Sequence, residues 1–390
     1  MGITAGGMII LLALSGGLPE VLWLGDEGFP GSAGAAGMGN TVYADVSPQA
    51  ALQNPAIASL LPEGFTVGAT GALVLDIEKR TRRVYDSFGG VVGESEHSFN
   101  QNFHPLPGAV SLSWKQGNLA IAAGWRAVST FGYAYSRVMN DGDYVKVAEE
   151  TLDVSGMLSD FGLSAAWTQW EFLSIGAGGS FVTGTRSMDH EINFVDPTAA
   201  DVDTEIETDI SGIVARGSAL ISYGRVSFAA GIEQPLDWKT EVQSVSTDLT
   251  LPMTVRAGIR YLPGNRLMSL FAADLWWSAT ESVETGDLDA AMRNSWGFGA
   301  GVENTLPGNT IGRVGFEYDS SPIVGALDRM KFTTGLGWAV DDITVDAGVS
   351  FSPVRWDQYQ VDGLPSFTPG DSLVVESSRT AFTLGIAKTF

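Results

Sequence analysis

From Phe65 onward, apolar residues alternate with small or polar ones at period two, the mark of strands with two unlike faces. Over 343–351 one face carries Ile343, Val345, Ala347, Val349 and Phe351, and the other Thr344, Asp346, Gly348 and Ser350. Over 253–261, Val255, Ala257, Ile259 and Tyr261 oppose Thr254, Arg256, Gly258 and Arg260. Over 295–303, Trp296, Phe298, Ala300 and Val302 oppose Ser295, Gly297, Gly299, Gly301 and Glu303. The pattern predicts fourteen strands: 65–85, 107–115, 119–134, 153–170, 173–192, 204–224, 226–240, 251–262, 268–282, 292–306, 311–320, 331–340, 343–357 and 377–390. Tight turns fall at 116–118, 170–171, 224–225, 263–265, 307–309 and 341–342. Between them lie longer links near 86–106, 135–152, 193–203, 241–250, 283–291, 321–330 and 358–376. Short and long links alternate strictly, as they do where a barrel has tight turns at one end and extended loops at the other.

A soluble sandwich also alternates, but it hides its apolar face and shows a polar face to water. Here the polar face is rich in Gly and Ser rather than Lys and Glu, as suits packing against something inside a lumen. The apolar face ends repeatedly in aromatics, at Trp114, Trp125, Trp167, Tyr223, Tyr261, Trp277, Tyr318 and Trp338, which fits the girdles of a membrane barrel. The expected fold is therefore all-β: a 14-stranded antiparallel transmembrane β-barrel over 65–390, oily side chains toward lipid.

Composition narrows the chemistry. With 22 basic and 45 acidic residues the net charge is -23, which argues against nucleic acid as a partner. There are 0 cysteines and only 3 histidines, at 97, 104 and 190, so neither a thiolate nor a histidine-rich metal centre is expected. The glycine runs Gly176-x-Gly178-Gly179 and Gly297-x-Gly299-x-Gly301 do not sit between a strand and a helix, so they read as inward glycines rather than phosphate loops. His190 follows Asp189, but no nucleophile motif accompanies them. No enzyme, cofactor or metal is expected. Asn140-Asp141-Gly142-Asp143 reads as a turn.

The first residues read differently. Residues 8–14 are an apolar core too short to span a bilayer, followed by the small-x-small run Ala13-Leu14-Ser15, so 1–17 reads as a signal peptide. No Lys or Arg precedes Lys79, however, so the usual basic start is missing. Residues 18–64 are mostly small and read as a plug. Ser47-Pro48 is placed to start a short helix that ends before Asn54-Pro55. A barrel of this width needs such a filler, because only narrower ones fill with their own side chains.

Within the plug, Gly37-Met38-Gly39, Ala44-Asp45 and Gln53-Asn54-Pro55-Ala56 resemble the N-terminal hatch of the outer-membrane fatty-acid transporter family (FadL), which includes aromatic-hydrocarbon channels. The hatch motif is thus Gly37, Gly39, Asn54, Pro55 and Ala56. The same segment is similar to that of PorV-type barrels linked to protein secretion. The first resemblance implies a bacterial outer-membrane protein for passive uptake of fatty acids or hydrocarbons, gated by the hatch, with lateral exit through the wall. The family's kink lies in the third strand, so Gly132 is a candidate opening, beside Pro235 and Pro353 as ladder breakers. The PorV resemblance implies a docking barrel for a secretion or surface protein. A cation-preferring porin is a third possibility, suggested by the acidic loops. The terminal Phe390 resembles the signal by which the barrel assembly machinery recognises its clients.

By alternation, Arg126, Arg216, Glu233, Arg256, Arg260, Asp274, Glu303, Arg313, Glu317 and Asp346 face the lumen. They read either as ion pairs anchoring the plug or, at Arg256, Arg260 and Arg313, as a site for a ligand carboxylate. Asp201, Asp203, Glu205, Glu207 and Asp209 form an acidic face, read as a solvated hairpin or a divalent-cation bridge to lipopolysaccharide. The expected partners are outer-membrane lipid and lipopolysaccharide, a hydrophobic small molecule and the assembly machinery.

Overall fold

The computed structural model describes residues 26–27, 31–140, 145–242, 245–247, 252–265, 267–282, 293–322, 325–357 and 373–390. Fourteen antiparallel strands close on themselves. They are β1 (Gly64–Tyr85), β2 (Val91–Gln116), β3 (Leu119–Thr130, resuming at Tyr133–Asn140), β4 (Lys146–Trp170) and β5 (Leu173–Phe194). Then follow β6 (Val202–Tyr223), β7 (Val226–Val242), β8 (Thr254–Tyr261), β9 (Leu270–Ser278) and β10 (Ser295–Leu306). The last four are β11 (Thr310–Asp319), β12 (Arg329–Val340), β13 (Ile343–Asp357) and β14 (Leu373–Thr389). Closure is by β14 on β1, from Thr389↔Thr66 to Leu373↔Arg82. The terminal Phe390 N–H donates to the Phe65 carbonyl at 2.8 Å, tying the chain end to the first strand.

The apolar face points outward. Phe161, Leu163, Phe181, Leu275, Phe332, Phe382 and Leu384 are all exposed on the exterior, a band that only lipid covers favourably. Aromatic pairs mark its edge at the tight-turn end: Phe65 with Trp114 at 6.5 Å, Trp170 with Phe172 at 5.8 Å, Tyr261 with Phe271 at 6.3 Å. Trp296 and Tyr318, 4.9 Å apart, mark the loop end. Among the described residues no helix is long and apolar enough to cross a membrane.

The expected links 86–106 and 135–152 are corrected. Most of each is strand, because β1 and β2 stay paired out to Tyr85↔Val91 and β3 and β4 out to Asn140↔Lys146. Along much of these hairpins the inward face buries polar and charged groups, among them Ser98 and Glu150, so the apolar alternation fades while the backbone ladder continues. The third strand is not continuous: it breaks at Phe131 and Gly132. The expected leader 1–17 and the turn residues 141–143 lie outside the described residues.

Residues 31–61 occupy the lumen, folded as α1 (Ala33–Gly37), α2 (Ala50–Gln53) and a 3-10 turn (Pro55–Leu60). The Ser32 hydroxyl caps α1 by accepting from Ala35 N–H at 3.0 Å, and the Ser47 hydroxyl accepts from Ala50 N–H at 3.0 Å ahead of α2. Inward glycines of the wall make the room. A Cβ on Gly37 would stand 3.2 Å from the Cα of Gly335, and one on Gly301 2.5 Å from the Met38 carbonyl oxygen. A Cβ on Gly176 would strike Pro55 and Ala56, and one on Gly299 the Gly39 carbonyl. Within the glycine runs that mimic phosphate loops, Gly176, Gly299 and Gly301 thus seat the plug, while Gly297 makes room for the Trp276 ring. Gly39 itself, at φ +70, adopts a backbone that glycine alone adopts freely.

Candidate functional site: a layered lumen and a break in the wall

The plug is pinned by polar contacts from many strands. Gly39 N–H donates to Thr333 Oγ1 (2.9 Å), Asn40 Nδ2 to Glu317 (2.9 Å), Tyr43 N–H to Asp274 (2.7 Å) and Ala56 N–H to Ser218 Oγ (2.8 Å). In return Ser164 Oγ donates to the Ala51 carbonyl (2.8 Å) and Lys115 Nζ to that of Leu61 (2.9 Å). Of the hatch-motif residues, Gly37 and Gly39 lie against glycines and carbonyls of β10–β12, Pro55 and Ala56 lie against Gly176 of β5, and Asn54 is fully buried, its Nδ2 donating to the Tyr43 carbonyl.

The lumen charges are buried and paired. Arg126 meets Asp160 at 3.0 Å, Asp160 meets Arg216 at 2.6 Å, and Arg216 meets Glu233 at 2.5 Å. Arg216 also donates to Ser180 Oγ at 2.8 Å. These groups form one belt of alternating sign across β3, β4, β5, β6 and β7. A second set holds the opposite wall: Arg313 with Glu303 (2.7 Å) and Asp346 (2.5 Å), and Lys331 with Glu317 (2.8 Å). Arg256 stands 3.7 Å from Asp274 and lies over the Trp276 ring at 4.4 Å. Arg260 joins none of these pairs, and its Nε is buried without a hydrogen-bond partner. Arg256 and Arg313 are thus committed to internal carboxylates rather than gathered with Arg260 around one vacant anion site.

Above the belt the interior turns apolar along β3–β6. Phe131, Leu152, Val154, Leu158, Val182, Met188, Ile206, Ile210 and Val214 form a buried cluster on the inward faces of β3–β6. Over it lies a polar cap. Arg80 donates to Glu78 (2.7 Å) and to the Tyr133 hydroxyl (2.6 Å) and lies 3.9 Å from the centre of the Tyr135 ring. Glu150 joins His190, at 2.9 Å, to Arg137. His190 therefore points inward to Glu150, whereas Asp189 projects from the other face of the strand. The acidic residues 201–209 are exposed on the exterior.

The wall beside the apolar layer is incomplete. The β2–β3 ladder runs from Gln116↔Leu119 to Ala109↔Arg126 and stops there. Beyond it β2 remains paired to β1, through Gly71↔Pro107 and Leu73↔Pro105, while β3 remains paired to β4. A proline sits in an intact ladder only where its nitrogen faces away from the partner. Both proline nitrogens therefore face β3, and neither donates. The free edge of β3 is taken instead by Asp26–Glu27, which pairs with Thr130 and Ser129. Further out the gap is bridged by side chains: Asn100 Oδ1 accepts from Ser136 N–H at 2.9 Å, beside the Arg80–Tyr133 contact. Of the ladder breakers expected from sequence, only Gly132 adjoins this gap. Pro353 pairs with Ser378 on one edge, and on its other edge the β12–β13 ladder ends at Phe332↔Phe351. Pro235 pairs with Val214, and on its other edge the β7–β8 ladder ends at Glu233↔Thr254. Both thus break a ladder, but away from the β2–β3 gap.

Sequence reading missed Asp160, Glu78, Arg80, Glu150, Pro105 and Pro107. Asp160 was available by parity with Phe161, and Pro105-x-Pro107 was the direct signal for a one-sided strand edge. Of the cap residues, Glu150 lies on a hairpin taken for a loop, whereas Glu78 and Arg80 lie on the expected first strand and were available by parity.

No sequence-family model matches the chain, and no characterised protein matches it in sequence. Solved structures do match in fold. A Pseudomonas aeruginosa FadL homologue has TM-score 0.63 at 13% identity, over 92% of this chain and 98% of that one. The Ralstonia pickettii toluene transporter TbuX has TM-score 0.61 at 16% identity, over 93% and 99%. The Pseudomonas putida toluene transporter TodX has TM-score 0.61 at 15% identity, over 93% and 99%. The chain shares the fourteen-stranded fold of the FadL-type barrels over nearly its whole length.

Proposed function

We propose that the protein is a bacterial outer-membrane channel for passive uptake of small hydrophobic molecules. One observation carries this: a buried apolar layer lies directly beside a place where neighbouring barrel strands part and proline nitrogens line the open edge. A hydrophobic solute in that layer meets charge below and charge above. Crossing the Arg126–Asp160–Arg216–Glu233 belt would strip water from ions and break their pairs, which costs several kcal/mol. Sideways, through the gap between β2 and β3, lies hydrocarbon. Lateral exit is the downhill route.

Gating by the plug belongs to its N-terminal end. Residues 31–61 are locked by wall glycines and hydrogen bonds, but Asp26–Glu27 holds to the β3 edge by a two-residue ladder, the kind of contact that opens with little cost. The belt and seated plug speak against an open cation pore. The proposed surroundings are lipid and lipopolysaccharide, and the exposed C-terminal Phe390 suits recognition by the barrel assembly machinery.

The test is uptake of labelled toluene and labelled oleate by cells carrying the protein in their outer membrane, against cells without it. Faster uptake of either probe supports the channel and identifies its ligand class. Equal rates for both probes overturn it and favour a docking barrel.

A further inference from the structure

At the gap between β2 and β3, next to the Asp26–Glu27 pairing on the β3 edge, one ring stands on the lumen side. His104, on the lumen side of β2 opposite Val74, lays its imidazole against Gly132 in the break of β3. A Cβ at 132 would stand 3.2 Å from Nε2 and 3.5 Å from Cδ2 and Cε1. On its other side Nδ1 stands 3.8 Å from Asp76 Oδ2, and Arg379 Nε approaches the same carboxylate at 3.8 Å. Neither distance is a hydrogen bond, and Nδ1 is buried without a partner. The ring is therefore held by packing, not by a bond.

We infer that His104 is the gate residue of the lateral opening: its ring packs against Gly132 in the break of β3, and swinging off Gly132 sets the size of solute that passes. Three features converge on it. Pro105 and Pro107 remove the backbone bonds that would close the wall at this height. Gly132 has no side chain, which gives the ring its seat. The flanking residues are fixed, since Leu106 is buried and the ladder below is intact from Ala109↔Arg126. The imidazole has no hydrogen bond to break before it turns, so a χ rotation moves it between staggered wells without loss of a partner. This inference rests on the proposed uptake function and names the residue that limits it.

The chain has 0 cysteines, so His104→Cys places one unique thiol in the gap. Cells carrying this variant are treated with methyl methanethiosulfonate or with benzyl methanethiosulfonate, and initial uptake of labelled toluene and oleate is measured. The expected result is uptake at or above the wild-type rate for the free thiol and the methyl adduct. The benzyl adduct should lose uptake down to the rate of cells without the protein, and dithiothreitol should restore it. Restoration excludes misfolding, and wild-type cells given the same reagents control for other thiols. Gly132→Val, which pushes a side chain into the ring, should also lower uptake, with the heat-modifiable gel band of the folded barrel retained. Uptake indifferent to the benzyl adduct, in cells where the wild type transports, overturns the gate and leaves the channel standing. No uptake by the wild type overturns the channel, and the gate with it.

Discussion

Asp160 shows how one side chain organises a wall. Its carboxylate takes Arg126 from β3 and Arg216 from β6 while almost wholly buried. Asp160→Ala leaves two guanidiniums competing for Glu233, and breaking a buried pair from one side costs about 3–5 kcal/mol. The folded gel band of that variant should be lost at a lower temperature than the wild type's. Retention of the wild-type midpoint would mean that water already screens the belt. At the plug seat the deciding property is size. A side chain on Gly299 collides with the Gly39 carbonyl, and overpacking of this kind costs about 1–3 kcal/mol. Gly299→Val should lower the same midpoint, whereas Gly217→Val, on the exterior where nothing lies within 4 Å of a Cβ, should leave it unchanged.

At the scale of elements, the decisive feature is the edge that β2 offers to β3. Pro105→Ala with Pro107→Val restores two N–H donors on that edge. The ladder should then extend past Ala109↔Arg126, with slower amide exchange in β3 at 127–130 and loss of uptake. Slower exchange with unchanged uptake would move the exit elsewhere. Much of the element layout was legible in the sequence. The tight turns and the strands of the second half fell within a few residues of their places, because lipid on one side and plug on the other enforce strict alternation. The outer halves of β2, β3 and β4 were not legible, since their inward faces bury polar and charged groups such as Ser98 and Glu150 and so carry no clean apolar period. Pro105-x-Pro107 was readable in principle but straddled the boundary between a segment taken for a loop and the strand expected from 107.

For the molecule as a whole, the wall glycines and plug backbone fit so closely that little free lumen remains along β10–β12. In planar bilayers the protein should conduct far less than an open porin. A variant lacking 31–61, if it inserts, should conduct more or lose its folded band. Porin-like conductance from the intact chain would contradict a seated plug. Its exterior band and interior layers divide the residues by solvent: hydrocarbon outside, then plug, ion belt, apolar layer and polar cap within.

The sequence alone determined the barrel, its strand number, the outward direction of its oily face and the small-sided filler near the N-terminus. All of these follow from local periodicity and residue size, which are written in neighbouring positions. Only the tertiary structure decided which charges meet, since the partners of Arg216 lie on other strands. It also decided that the apolar layer lies along β3–β6, and that His104 reaches Gly132 across a missing ladder. Those outcomes depend on register between strands distant in the chain, and register is fixed only when the barrel closes.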